Sequence, residues 1–333
     1  MATQRGQDKY MANVALKFNL KLGGVNQKID DAKLGIISEG KTIVIGIDVT
    51  HPSPGSAANA PSVAGMVGSI DRHLGQWPAE LHVQSEARKE SVDSLTKMLK
   101  TRLNLWGTKG GNKQLPENIL IYRDGVSEGQ YEMVLKEELP LLRKACEEVY
   151  PAPDLKKGLP HMTIVVVGKR HHTRFFPTNG DSDKITDKTG NPINGTVVDR
   201  HVTEARNWDF FLQSHNALQG TARPAHYFTV LDEIFTPRRL PPGFQNHADV
   251  LEDLTHNMCY LFGRATKAVS ICPPAYYADL VCERARCYLS GLYDLSTPSQ
   301  TPATSESGRG GLGDATDSDV QVHPKLKDTM FYI

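Results

Sequence analysis

Two short apolar runs, each carrying an aspartate, constrain the fold of this chain most. Residues 42–50 read TIVIGIDVT and contain Asp48, and residues 118–124 read NILIYRD and end at Asp124, directly before Gly125. Such runs are typical of buried β-strands, where a carboxylate is costly unless a cation or hydrogen bonds compensate it. Two carboxylates on rigid strands indicate a hard divalent cation, because oxygen ligands suit Mg²⁺ or Mn²⁺.

Strand and helix patterns follow one another along the chain. Strand patterns cover residues 42–50, 62–70, 80–84, 118–123 and 161–168, and helical patterns cover 90–105, 132–148, 248–262 and 274–289. The short connections between the first three strands favour antiparallel pairing, whereas the near-continuous apolar run 161–168 is typical of a strand covered on both faces. We therefore expect an α/β fold in which helices flank a mixed central sheet, with antiparallel first strands and parallel later ones.

Composition excludes several classes of protein. The chain has 333 residues, of which 39% are hydrophobic and 23% charged, as in a globular protein. Lys+Arg and Asp+Glu both total 38, so a polyanion site must come from local clustering. Five cysteines without a CxxC motif argue against a disulfide framework or a zinc site. No signal peptide or membrane-length stretch is found, so we expect no membrane contact and a cytoplasmic location, with room for a nuclear pool.

Both ends of the chain depart from the central pattern. The basic opening, to about residue 39, resembles the end of an element that began upstream, which indicates a fragment. Residues 296–319 are rich in Ser, Thr, Gly, Pro and Asp, so we predict a disordered surface loop. Residues 320–333 regain apolar side chains and are expected to pack back onto the domain.

Four motifs together resemble a known family. They are IGIDVTHP (45–52), YRDGVSEGQ (122–130), KRHHTR (169–174) and PAYYA (274–278). In this order they are similar to the PIWI domain of eukaryotic Argonautes, from about Tyr10 to Ile333, with a quelling-type Argonaute as the closer match. The resemblance implies a ribonuclease H-like PIWI fold over 40–333, preceded by the C-terminal end of a MID domain and a linker over 1–39. The N-terminal and PAZ domains and most of the MID domain are absent.

The resemblance assigns catalytic roles to Asp48, Glu90, Asp124 and Asp279. Asp48, Asp124 and Asp279 are the implied ligands of two Mg²⁺ or Mn²⁺ ions. Asp279 stands where animal relatives usually carry histidine, and a carboxylate is the better ligand for a hard cation. Taken singly, each acid has an ordinary interpretation: Asp48 as a strand-end acid bonded to amides, Asp124 as a turn former, and Glu90 and Asp279 as helix-start acids.

The resemblance also implies a site for a guide strand. Lys17, Lys21 and Arg284 are the implied ligands of its 5′-phosphate, although Lys17 and Lys21 alone favour an ordinary solvated face. The implied contacts to the guide backbone are Lys169, Arg170, His172, Arg174, Arg264, Ser270 and Tyr276. His171 and His172 lack a clear third metal ligand, so contact with phosphate is favoured over a metal, and Tyr276 equally suits a helix core.

These roles imply a guide-RNA-directed endoribonuclease of RNA silencing. Its partners are a small guide RNA, a complementary target RNA and silencing proteins, and two-metal hydrolysis leaves a 3′-hydroxyl and a 5′-phosphate. Base pairing would read sequence, while the protein reads helix shape and phosphates. One alternative is a guide-binding module that silences through partners without cutting. The other, a free-standing ribonuclease H-like nuclease, is disfavoured by Lys17, Lys21 and Arg284.

Overall fold

The computed structural model describes residues 4–54, 56, 60–84, 88–178, 185–290 and 316–333. The strands are Thr42–Thr50 (β1), Val63–Gly68 (β2), Ala79–Val83 (β3), Asn118–Asp124 (β4), His161–Gly168 (β5), Thr196–Val198 (β6), Trp208–Gln213 (β7) and Ala225–Asp232 (β8). The α-helices are Gln4–Lys21 (α1), Leu95–Thr108 (α2), Tyr131–Met133 (α3), Leu139–Val149 (α4), Ala152–Leu155 (α5), His247–Met258 (α6) and Pro273–Tyr288 (α7). A π-helical turn, Val134–Glu138, joins α3 to α4, and 3₁₀ turns cover Asp31–Ile37, Glu128–Gln130, Cys259–Leu261 and Asp317–Val320.

The eight strands form one mixed sheet in the order β3-β2-β1-β4-β5-β8-β7-β6. Strands β1, β4 and β5 are parallel, β2 pairs antiparallel with β1, and β3 pairs antiparallel with β2, which confirms the expected mixed sheet. Strands β6 to β8 were not predicted, and β8 adds an antiparallel neighbour to β5. The three residues of β6 and the partial burial of β8 account for two of these omissions, whereas β7 is nearly fully buried and its apolar residues were overlooked.

Strand β1 is buried on both faces, as its apolar run predicts. Ile43, Ile45 and Ile47 pack into a core that contains side chains of α2 and α4, while Val44 packs into a second core with side chains of α6 and α7. This alternation follows from the two-residue period of a strand. Helices therefore cover both faces of the sheet, and polar function is confined to the ends of the strands.

Helix α7 lies unusually close to β1 and β2 because glycines face it. A Cβ added at Gly46 would lie 1.9 Å from the Pro274 carbonyl oxygen, and one added at Gly65 would lie 2.9 Å from Cys282 Sγ. Any larger side chain would push the helix away from the sheet. The two glycines thus set the position of α7, which carries Asp279 and Arg284.

Helix α2 begins at Leu95, five residues later than predicted. The preceding backbone is held by side chains of other elements instead of by helical hydrogen bonds. Val92 N–H donates to Glu138 Oε1 at 3.1 Å, and the Glu90 carbonyl accepts from Arg123 Nη2 at 2.7 Å. The interpretation of Glu90 as a helix-start acid is therefore wrong.

Both ends of the chain pack on this framework. Leu20, Leu34 and Ile37 join the same core as Val44, and Met330–Ile333 are buried, which confirms that the last segment packs back. The predicted disordered loop lies outside the described residues as far as 315, and residues 317–319 form part of a 3₁₀ turn. Within the described ranges, we find no helix with the length and apolar character needed to span a bilayer.

Candidate functional site

Asp48 and Asp124 occupy neighbouring positions near the carboxyl ends of parallel strands. Ile47 of β1 pairs with Arg123 of β4, and the next residue of each strand is the aspartate. Asp48 is only 7% exposed, and burial raises its pKa well above the ordinary range, with Asp124 and Asp279 adding to the rise. Burial also raises the pKa of Asp124 to about 6, although the Gly125 N–H, 2.7 Å from Asp124 Oδ1, opposes this shift. Asp124 and Asp279 thus destabilise the charged form of Asp48, and Asp279 destabilises that of Asp124.

Asp279, on the first half of α7, lies near both strand acids, since its charge raises the pKa of Asp48 and of Asp124. Burial raises its pKa, and the charge of Glu283 raises it further. Arg170, predicted to contact guide phosphates, lies near the acids: its charge lowers the pKa of both Asp124 and Asp279. Arg170 thus partly offsets the repulsion at Asp124 and Asp279, as Arg123 does at Asp48 and Asp124.

Glu90 meets the strand acids at Gly125. A Cβ built on Gly125 would lie 3.2 Å from Asp48 Oδ1 and 3.2 Å from Glu90 Oε1, and its φ of +88° already favours glycine. His51 Nε2 donates to Glu90 Oε2 at 2.6 Å, and Ser62 Oγ lies 2.8 Å from His51 Nδ1. His51 and Ser62 were not singled out by the sequence analysis, because their pairing with Glu90 depends on the fold.

Arg123 and Glu138 form a buried ion pair behind the acids. Their side chains are 0% and 1% exposed, and Arg123 Nη2 lies 3.0 Å from Glu138 Oε1. Arg123 also donates to the Asp124 carbonyl at 2.5 Å and contacts Glu90 Oε1 at 3.4 Å. The negative charge of Glu138 keeps the pKa of Arg123 above its ordinary value despite burial. An arginine inside the apolar run NILIYRD is the sequence signal that could have identified this pair.

The acid cluster, defined as Asp48, Glu90, Asp124 and Asp279, fits a hard divalent cation. Its donor atoms are all oxygens. The pKa values of its three aspartates are raised, and a bound cation would stabilise their charged forms. His51 orients Glu90, and the Gly125 N–H orients Asp124. No three of the four acids place their oxygen atoms within 4.8 Å of one another. Among the described residues, that spacing is met by a different acidic group, Asp199, Asp249 and Glu252.

Four basic side chains from opposite ends of the sequence gather between α1 and α7. The pKa of Lys21 is lowered first by burial and then by the charges of Arg284, Lys17 and Arg264. Lys21 Nζ also donates to the Phe331 carbonyl at 2.7 Å. Arg264, assigned to the guide backbone, therefore lies with the three residues assigned to the 5′-phosphate. We call Lys17, Lys21, Arg264 and Arg284 the cation cluster.

The remaining basic residues line the end of β5. Lys169 Nζ donates to Ser270 Oγ, and burial lowers the pKa of Lys169 to about 8, assisted by Arg223. His172 is exposed, whereas Arg174 is partly buried and donates to the Thr173 carbonyl at 2.7 Å. The structure thus brings Lys169 and Ser270 into contact.

Tyr276 contacts the core. Its ring centroid lies 4.4 Å from that of Phe262, and the side chain is half-buried against the core that contains Val44. This is the helix-core contact that the sequence analysis kept as an alternative. The partly exposed remainder of the side chain is compatible with contact to a ligand.

The amino-acid sequence is similar to a known family and to several known proteins. A family model described as the Piwi domain matches residues 1–290. Protein argonaute 5 of Arabidopsis thaliana is 38% identical over 97% of this chain and 32% of its own length. Protein argonaute MEL1 of Oryza sativa subsp. japonica is 41% identical over 98% of this chain and 31% of its own. The chain thus spans about a third of the length of these relatives.

Solved structures agree in fold. Kluyveromyces polysporus Argonaute with a guide RNA matches with a TM-score of 0.79 and 32% identity, over 97% of this chain and 36% of that one. The MID-PIWI domains of N. crassa QDE-2 match with a TM-score of 0.62 and 36% identity, over 100% of this chain and 69% of that one. The mixed eight-stranded sheet is accordingly the ribonuclease H-like PIWI fold. With sequence and fold in agreement over nearly its whole length, the chain belongs to the Argonaute family and contains its Piwi domain.

Proposed function

We propose that this chain is the PIWI lobe of a quelling-type Argonaute that cuts target RNA under the direction of a guide RNA. The observation that carries the proposal is the meeting of Asp48, Glu90 and Asp124 at Gly125, at the ends of two parallel strands, with the charge of Asp279 acting on both strand acids. Residues 40–333 would form the PIWI domain and residues 1–39 the end of the MID domain.

Each member of the acid cluster has a proposed role in cutting. Asp48, Asp124 and Asp279 would hold two Mg²⁺ or Mn²⁺ ions, with Glu90 completing the catalytic set. Bound divalent ions would activate water and stabilise the leaving 3′ oxygen of the phosphodiester. His51 and Arg123 fix Glu90 in orientation, and Arg170 supplies positive charge where the target phosphate must approach two carboxylates. The products would carry a 3′-hydroxyl and a 5′-phosphate.

The basic residues would hold the guide strand. The cation cluster suits a terminal phosphate, because lysine supplies point charges and arginine a two-pronged donor. Lys169, Arg170, His172, Arg174, Ser270 and Tyr276 would contact the guide backbone. The guide RNA named with the Kluyveromyces polysporus structure supports this proposal by analogy. We further propose action in the cytoplasm, with a nuclear pool, alongside silencing proteins.

The proposal is tested with the full-length protein loaded with a guide RNA. We expect cleavage of a complementary RNA at one position in Mg²⁺ and none in EDTA, with mapped 3′-hydroxyl and 5′-phosphate ends. A mismatched RNA is the control. If the loaded protein binds the complementary RNA tightly in Mg²⁺ but leaves it intact, the chain is the non-cleaving guide-binding module instead.

Arg284→Ala should weaken binding of a 5′-phosphorylated guide by about ten- to a hundredfold, the equivalent of roughly 1.5 to 3 kcal/mol for a charge-assisted contact. Binding of a 5′-hydroxyl guide should change much less, because the lost guanidinium serves the terminal phosphate. Filter binding with both guides measures the difference.

Arg286→Ala provides the matched control for this measurement. It removes the same charge from the same helix, but Arg286 Nη2 donates to Ser53 Oγ at 3.0 Å. Equal losses for the two guides in Arg284→Ala would limit Arg284 to general backbone contact.

A further inference from the structure

Three acids meet at the edge of the sheet, away from the acid cluster. Asp199 directly follows β6, and Asp249 and Glu252 lie three residues apart on the first turns of α6, so they share one helix face. Carboxylate oxygens of all three lie within 4.8 Å of one another. We call these residues the edge acids. Strands β5, β8 and β7 separate β6 from β4, which carries Asp124.

Glu252 is the residue that points to a ligand. It is 7% exposed, and its Oε1 is buried without a hydrogen-bond partner. A buried carboxylate oxygen without a partner is strongly disfavoured. Burial raises the pKa of Glu252 to about 7, with further contributions from the charges of Asp199 and Asp249.

The nearby positive charge does not compensate this group. Arg200 Nε lies 3.6 Å from Asp199 Oδ2, but the arginine side chain is 70% exposed to solvent. An exposed pair of this kind contributes little, because water screens it. The exposed Arg200 is therefore a weak counter-charge for the buried Glu252.

Of the other two acids, Asp249 has an oriented carboxylate and Asp199 has a fixed backbone. Asp249 Oδ2 accepts the backbone N–H groups of Gln245 at 3.1 Å and Asn246 at 3.3 Å, within the capping box that begins α6. Thr203 Oγ1 donates to the Asp199 carbonyl at 2.8 Å, which closes the turn after β6. Carboxylates fixed by the backbone lose little freedom when they bind a ligand.

We propose that Asp199, Asp249 and Glu252 bind a hard divalent cation that joins the sheet edge at β6 to the start of α6. An all-oxygen, triply acidic donor set suits Ca²⁺, Mg²⁺ or Mn²⁺ and not a softer metal. The ion neutralises the buried charge of Glu252 and clamps two elements that the chain connects through residues 199–246. Its role is structural and separate from the proposed cutting chemistry.

The test is Mn²⁺ binding, measured by electron paramagnetic resonance on the full 333-residue chain. An Asp48→Asn/Asp124→Asn background removes binding at the acid cluster. We expect about one bound Mn²⁺ per chain in this background, displaced by added Ca²⁺. Adding Glu252→Gln should weaken this binding at least about tenfold, the lower limit for losing even an outer-shell partner of a metal.

Two further variants make the result decisive. Asp253→Asn is the matched control, since it removes the same charge one residue along α6 and should leave Mn²⁺ affinity unchanged. Asp199→Asn lies at the less buried side of the group, where its carboxylate is 32% exposed, so it should fold and reproduce the loss. Equal Mn²⁺ binding by the background chain and by both the Glu252 and Asp199 variants would overturn the proposal, as would a background chain that binds neither Mn²⁺ nor Ca²⁺.

Discussion

Asp48→Ala or Asp124→Ala should reduce target cleavage by the full-length, guide-loaded protein at least about a thousandfold. Loss of a ligand removes the charge stabilisation of a bound metal, worth several kcal/mol, and each 1.36 kcal/mol changes a rate tenfold. Guide binding should be unchanged, because the cation cluster lies between α1 and α7 and not at the strand ends. Single-turnover cleavage and guide affinity, measured on the same preparations, separate the two effects.

Asp232→Asn is the control for a strand-end acid of a different kind. Asp232 ends β8, and its carboxylate accepts the backbone N–H groups of Phe235 at 3.0 Å and Thr236 at 2.8 Å, so it forms a turn. The control variant should cut its target at a near-normal rate. Near-normal cutting by Asp48→Ala as well would reduce Asp48 to the same structural role and remove the basis for the proposed two-metal site.

Arg123→Met should destabilise the chain by about 3 to 5 kcal/mol, the usual cost of leaving one member of a buried ion pair without its partner. Glu138, 1% exposed, would lose its cationic partner and keep the Val92 N–H as its remaining donor among the described residues. The Asp124 and Glu90 carbonyls would each lose an arginine donor as well. Urea unfolding of wild type and variant measures the difference.

The double variant Arg123→Met/Glu138→Leu separates the effect of the ion pair on stability from the effect of Arg123 on Glu90. It replaces the whole pair by apolar groups, a change that is often neutral for stability, so most of the lost stability should return. Cleavage should be reduced in both the single and the double variant, because Glu90 lacks its arginine contacts in each. If Arg123→Met alone unfolds at the wild-type urea concentration, the ion pair contributes nothing measurable to the fold.

Among the strands with two buried faces, those with long apolar runs could be predicted, whereas the six-residue β7 was missed. β1 and β5 have the bounds given by their apolar runs, because a strand covered on both sides needs apolar residues at nearly every position. β8 shows partial burial along most of its length, so its sequence carries no such run. The start of α2 was misplaced because the preceding segment is bound by Arg123 and Glu138, and a local pattern cannot register partners that are distant in sequence.

The candidate site divides in the same way. Asp48 and Asp124 are visible in the sequence as charges within apolar strands. Asp279 and Glu90 have ordinary local settings, and only the resemblance to a family assigned them. His51 was missed altogether, since its value depends on the 2.6 Å contact with Glu90 that the fold creates. Sequence thus identifies residues that violate a local rule, whereas residues that act through a distant partner need the structure.

Helix α7 imposes one further constraint, through its register. Asp279 and Arg284 are five residues apart, an axial separation of about 7.5 Å and a rotation of about 140° at 1.5 Å and 100° per residue. One helix therefore presents one side to the acid cluster and nearly the opposite side to the cation cluster. Inserting or deleting one residue between them would turn one group away by about 100° while the other stayed in place. Under the proposed roles, α7 fixes the distance between the cutting site and the guide anchor, so a change of length in this helix would disturb both sites.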